Sequence, residues 1–167
     1  LFERLTGEVA SIAKSAYEII GHEINLASPK QLQTVLFEEL GMTGTKQVKT
    51  GFSTNAAALT ELFEQTEHPF LARLLEHREV TKIRQIVETM LKAVGEDGRI
   101  HTNYVQTGTS TGRLSSENPN LQNIPIRSQR GREIRDAFIA GKGFETLLSA
   151  DYSQIEMRIM AHLSDDA

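Results

Sequence analysis

Two carboxylates raise the first chemical question. In "DYSQIEMR", residues 151–158, Asp151 follows the apolar run Thr146-Leu147-Leu148-Ser149-Ala150, and Glu156 stands five residues further on, where a helical pattern begins. The run predicts a buried strand over 147–150, and the spacing beyond it predicts a final helix from Ile155. A carboxylate at the end of a strand is held rigidly, which suits magnesium. That ion takes one or two protein carboxylates and completes its octahedron with waters and substrate phosphates. Two such ions about 3.5–4 Å apart can clamp an in-line phosphoryl displacement. Tyr152 could add its main-chain carbonyl. The plainer alternative makes Asp151 a turn or cap residue. For Glu156 the plainer alternative is a capping box, since Ser153 and Glu156 form S-x-x-E ahead of Ile155, Ile159 and Leu163.

A second constellation lies in "TSTGRLSSENPNLQNIPIR", residues 109–127. Arg113, Asn120, Gln122, Asn123 and Arg127 offer many donors on a loop-rich frame. Such donors can reach purine N3 and pyrimidine O2 in a minor groove, acceptors that every correct base pair presents. The contacts would check pair geometry without reading sequence. Alternatively, Asn and Gln satisfy the backbone of a Pro-punctuated loop. Charge adds a hint. Five arginines (113, 127, 130, 132 and 135) face three acids between Gly112 and Ala137, and the loop from Gly41 to Thr54 carries Lys46 and Lys49 with no acid. A basic lining inside an acidic chain is compatible with a phosphate-binding cleft, although ordinary solvated side chains explain the charges equally well.

The elements that must position these residues fall into two textures. The 167 residues, 39% of them hydrophobic, suffice for one compact domain or two small ones. The net charge of −4 argues against a globally basic nucleic-acid binder. Without cysteine there are no disulfides or thiolate metal sites, which fits a reducing compartment. No apolar run approaches the roughly 20 residues of a membrane span, and no signal-peptide pattern opens the chain. Leu5, Val9, Ile12, Ala16, Ile19 and Ile20 predict a helix ending at Gly21. "SPKQLQTVLFEELG" predicts another, with Ser28 as cap, Pro29 at the first position, Gln31 closing a capping box and Gly41 ending it. Residues 41–55 read as a loop. Two further helices follow, at about 56–65 and from Pro69 to about Val94. After "GEDGR" the chain turns to Thr, Ser, Tyr, Val and Gly, which favour strands and turns. Near Glu133 a short helix or strand leads toward Gly141 and Gly143.

Taken together, "TGRLSSENPNLQNIPIR", "REIRDAFIA" and "SADYSQIEMRIMAHLS" closely resemble the bacterial DNA polymerase I family, the family A DNA polymerases. The last resembles that family's first catalytic motif, with Met157 where Leu is usual. "GHEINLASPKQLQTVLFEELG" and "KTGFSTNAAAL" resemble its thumb, so the likeness covers essentially the whole chain. It implies an α+β fold in which a helical thumb subdomain precedes the start of an antiparallel-sheet palm, a partial right-hand polymerase fold. Residues 1–28 would be a connecting helix, 29–98 the thumb, and 99–167 the first part of the palm.

The resemblance also implies template-directed DNA synthesis: nucleotidyl transfer to a primer 3′-hydroxyl by two magnesium ions. Asp151 would bind both ions and Tyr152 would contribute its carbonyl. Ser153, Gln154 and Ile155 would line the nucleotide pocket, and Glu156 would be the steric gate against a ribose 2′-hydroxyl. Arg113, Asn120, Gln122, Asn123 and Arg127 would touch the duplex near the primer end. Asn25, Lys46, Lys49, Ser53 and Thr54 match thumb positions that hold its backbone. The implied partners are primer–template DNA, deoxynucleoside triphosphates and the remaining polymerase segments, with no membrane, in a bacterial cytoplasmic, nucleoid-associated protein.

Leu1 in place of Met, and the ending "HLSDDA", suggest a piece of something larger. The family's fingers helix and its second palm carboxylate have no counterpart in these residues. The isolated chain is therefore expected to be inactive. The alternatives are a non-catalytic fragment that binds primer–template, a helical interaction domain unrelated to nucleic acid, and a relative of the single-subunit RNA polymerases, against which Glu156 argues.

Overall fold

The computed structural model of the chain describes residues 1–49, 51–126 and 128–165. Helix α1 (Phe2–Ile20) ends on Gly21 in the left-handed conformation, as its spacing predicts. Helix α2 (Pro29–Gln33) starts on Ser28, whose Oγ accepts from the Gln31 N–H. The reciprocal half of the expected capping box is absent, because Gln31 Oε1 accepts instead from the Asn25 N–H at 2.6 Å. Beyond Gln33 the helix widens into a π-helical segment, Thr34–Glu39.

Residues 41–55 are not only loop. Strands β1 (Gln47–Val48) and β2 (Gly51–Phe52) pair antiparallel in a small hairpin. Side chains several residues away hold it down, which is why local propensity misses it. Gln33 Nε2 donates to the Phe52 carbonyl at 3.0 Å, and the Phe52 ring lies 4.8 Å from that of Phe37. Gly51 is required here: its φ of +117° is one that side chains avoid, and a β-carbon would strike the Gln33 carboxamide.

Helix α3 (Ala56–Thr66) is capped by Asn55, whose Oδ1 accepts from the Ala58 N–H at 2.8 Å. Helix α4 (Pro69–Lys92) begins with Pro at its first position. At 24 residues it is about 36 Å long, enough to serve two cores. Its first half buries Phe70, Leu71 and Leu74 with Ala16, Leu32, Val35, Leu36, Leu59 and Leu62. Its second half buries Val80, Ile83 and Val87 with Leu5, Ile12 and Ile134. The late part of α1 meets the early part of α4 and the reverse, so the two helices pack antiparallel.

The second texture is smaller than expected. Strands β3 (Asn103–Val105) and β4 (Ser115–Glu117) form a three-pair antiparallel ladder. Buried Ser116 ties that ladder to the loop after it, since its Oγ accepts from the Leu121 N–H at 3.0 Å and meets Thr102 Oγ1 at 2.7 Å. A 3-10 turn (Leu121–Asn123) and helix α5 (Gln129–Arg135) follow. The uncertain segment near Glu133 is thus helical. Gly131 lets α5 lie against the Pro125 carbonyl, which any side chain there would strike. Ion pairs tie α5 to the helical part: Arg130 reaches Glu8 at 3.3 Å and Glu79 at 3.9 Å, and Arg4 pairs with Glu133.

The predicted strand over 147–150 does not form. These residues are irregular and exposed, Leu148 to 92%. A strand draws its backbone hydrogen bonds from a neighbour, and the described residues offer none to this run. Helix α6 (Ile155–Ser164) forms as expected, with no buried residue. No helix among the described residues is long and apolar enough to cross a membrane.

Candidate nucleic-acid interface

The first site region lies on the helical part. Ser53 donates its N–H to the Lys46 carbonyl at 2.9 Å, so the hairpin holds the two together. Lys46 and Lys49 are exposed. Buried Thr54 presents its carbonyl to Arg78 Nη1 at 2.5 Å, which fastens the hairpin's exit to α4. Asn25 shapes its own turn, its Oδ1 accepting from the Ala27 N–H at 2.9 Å. Beside it, Leu26 and Ala27 join His77, Arg78, Thr81, Lys82 and Gln85 around a cleft of about 120 Å³.

That cleft adds residues the motif reading missed. Arg78 and Lys82 lie four apart, on one face of α4, and Thr81 Oγ1 is buried there without a hydrogen-bond partner among the described residues. Burial, and secondarily the Arg78 charge, pushes His77 below its ordinary value, so the cations of this cleft are Arg78 and Lys82. Burial also lowers Arg78, though a guanidinium remains charged at neutral pH. The i, i+4 cationic pair in "REVTK" was the available signal. It is hidden in sequence because the long helix alternates charges throughout.

The second region surrounds the two carboxylates. Asn120 Oδ1 accepts from the Gln122 N–H at 2.9 Å, capping the 3-10 turn, and Gln122 Nε2 donates to the Leu114 carbonyl at 3.1 Å. In this state both side chains do the loop-stitching work of the plainer alternative. Asn123 is exposed on the same turn, and Arg127 lies outside the described residues. The arginine-rich stretch is also less free than its composition suggests, because Arg130 is committed to Glu8 and Glu79 and Arg132 donates to Gln129 at 2.8 Å.

Glu156 corrects the capping-box reading. The N-cap of α6 is Gln154, in left-handed conformation and with no side-chain cap bond. Ser153 instead offers its carbonyl to Arg158 Nε at 2.8 Å. Glu156 Oε1 accepts from Arg113 Nη2 across a sequence separation of 43 residues. This pair brings the loop over 109–126 and helix α6 together. Asp151, Tyr152, Ser153, Gln154 and Ile155 are exposed along the approach to α6. Asp151 stands there with the Tyr152 carbonyl beside it in the chain, a donor set that fits one side of a magnesium shell. Among the described residues no three His, Cys, Asp or Glu side chains gather where they could hold a metal ion.

The fold has close counterparts. The family model for DNA polymerase family A matches residues 1–167. DNA polymerase I of Mycobacterium tuberculosis (strain ATCC 25618 / H37Rv) is 60% identical over 159 residues, covering 95% of this chain and 18% of that protein. DNA polymerase I of Treponema pallidum (strain Nichols) is 50% identical over 151 residues, covering 90% of this chain and 15% of that protein. Among solved structures, the POL domain of Pol1 from M. smegmatis, in complex with DNA primer-template and dNTP, matches with a TM-score of 0.91 and 58% identity, over 99% of this chain and 30% of that one. The chain belongs to DNA polymerase family A. It spans less than a fifth of the length of the DNA polymerase I relatives it matches.

Proposed function

We propose that this chain forms part of a DNA-directed DNA polymerase that extends a primer on a template from deoxynucleoside triphosphates. The observation that supports this most is the likeness, at 58% identity across nearly the whole chain, to a domain solved with primer-template DNA and dNTP. In this reading residues 1–28 are the connecting helix, 29–98 the thumb and 99–167 the first part of the palm.

Phosphoryl transfer asks the protein for positioning and charge neutralisation more than for covalent chemistry. The residues divide that work. Lys46, Lys49, Ser53, Thr54 and Asn25, with Arg78 and Lys82 behind them, grip duplex phosphates through a salt-dependent contact. Arg113, Asn120, Gln122, Asn123 and Arg127 check the pair at the primer end from the minor groove. Using Asn120 and Gln122 for this requires them to leave the loop bonds they make here. Ser153, Gln154 and Ile155 shape the nucleotide pocket, and the Glu156 carboxylate fills the space a 2′-hydroxyl would need. Asp151 and the Tyr152 carbonyl would hold magnesium, two ions with a further carboxylate from the remaining polymerase segments. Bound there, magnesium supplies charge neutralisation and activation of the primer hydroxyl.

The test is magnesium-dependent primer extension by the complete polypeptide that contains this chain. Asp151→Asn should abolish extension while duplex affinity stays. Extension that survives Asp151→Asn would refute the catalytic assignment. A second reading, a DNA-holding unit without chemistry, is favoured by the cationic cleft on α4. It predicts that the 167-residue chain alone binds primer–template with an affinity that falls steeply with salt and is indifferent to magnesium.

A further inference from the structure

The Arg113–Glu156 pair joins two residues to which the proposed function gives separate tasks. Both side chains are exposed, at 72% and 74%, so packing holds neither in place. α6 buries no residue, and its N-terminus has no side-chain cap. On such a helix a lone glutamate would sample several rotamers. A gate that excludes one hydroxyl group needs a fixed carboxylate. Among the described residues, the partner that holds Glu156 is the Arg113 guanidinium. Only Nη2 is engaged on Glu156, and a guanidinium carries five N–H donors in a rigid fork. One edge can therefore hold the carboxylate while the other donates to a groove acceptor.

We infer that Arg113 is a positioning residue for sugar selection, holding Glu156 over the nucleotide's 2′ position while it contacts the primer end. The inference rests on the reading of Glu156 as the gate. Sugar selection then depends on a residue 43 positions away, on the loop that senses the primer-terminal pair. A mismatched primer terminus, which draws Arg113 off its place, should relax sugar selection as well as slow extension.

The experiment uses the complete polymerase and measures incorporation efficiency for a ribonucleotide against the matching deoxynucleotide. The variants are R113A, R113K, E156A and R113A/E156A. R113A should slow both substrates and also raise the ribonucleotide-to-deoxynucleotide ratio by about three- to fivefold, the scale of one exposed ion pair. R113K, which keeps the charge but not the fork, should recover part of the lost selection. In the E156A background the Arg113 substitution should leave the ratio unchanged. Equal slowing of both sugars by R113A, or a further multiplied rise in the double variant, would overturn the inference while leaving the gate assignment standing. An E156A variant that selects sugars normally would overturn the gate itself and this inference with it. Both side chains are exposed, so loss of folding does not confuse the readout.

Discussion

The two ends of the chain solve opposite problems. From α1 through α4 every helix buries its apolar face, and one long helix is shared between two cores. From residue 139 onward apolar residues are plentiful but exposed: Ile139, Phe144, Leu147, Leu148, Met157, Met160 and Leu163 all face outward. The helical end carries residues assigned to duplex grip, and the exposed end carries those assigned to chemistry. Their contrast is that the residues assigned to grip stand on a self-sufficient scaffold. The junction that carries Asp151 and Glu156 draws no support from packing among the described residues, where its side-chain link to the rest is Arg113–Glu156.

The sharpest way to break this comparison is to truncate a side chain in each region. Phe70→Ala should destabilise the chain by about 3–5 kcal/mol, through lost burial and the cavity left behind. Leu148→Ala should shift stability by less than about 0.5 kcal/mol. Chemical denaturation checks both, and equal losses would mean that the exposed region has a core of its own. A smaller effect is expected from Asn55→Ala, which removes the cap on α3 and should cost about 1 kcal/mol. Unchanged denaturation would show that α3 is held by its buried face alone.

Arg78→Ala sharpens the comparison on the side of grip. It should weaken duplex binding evenly across sequences and reduce the salt slope by about one, as expected for one phosphate contact. Fluorescence anisotropy over a salt series reads this directly. A slope that does not change would remove Arg78 from the interface and leave it as the clasp on the Thr54 carbonyl.

The smallest effect concerns pH. The hydrogen bond to Glu39, 2.8 Å from His22 Nε2, raises His22 above its ordinary 6.5, so protonated His22 is favoured in the folded chain. The pair's contribution is complete below 6.5 and is lost as pH rises through the raised value. Glu39→Gln should flatten that part of the stability profile and leave the alkaline side unaltered. A profile with the same shape in both forms would mean that the pair contributes nothing.

How far the sequence carries can be judged residue by residue. Gly21, Ser28, Pro29 and Pro69 mark helix ends correctly because end signals are local: each acts on backbone groups within a turn of itself. The hairpin at 47–52 was invisible because Gln33 and Phe37 hold it from another element. The strand over 147–150 was expected because apolar content and length fit, but strand formation also requires a partner. The S-x-x-E spacing at Ser153 suggests a capping box, but α6 starts on Gln154 without a side-chain cap and the Glu156 carboxylate binds a guanidinium from another loop. The Arg78–Lys82 cleft escaped because cations spaced along an exposed-looking helix carry no sign of what lies opposite.

Sequence alone therefore determined helices α1, α3, α4 and α6 to within a residue or two, and the family through motifs long enough to be specific. Tertiary structure decided which polar groups meet. Arg78 reaches the Thr54 carbonyl, Arg130 bridges to Glu8 and Glu79, and Arg113 reaches Glu156. The physical reason is range. Caps and periodicity act within a few residues along the chain, whereas an ion pair depends on distance in space, which only the packed fold sets.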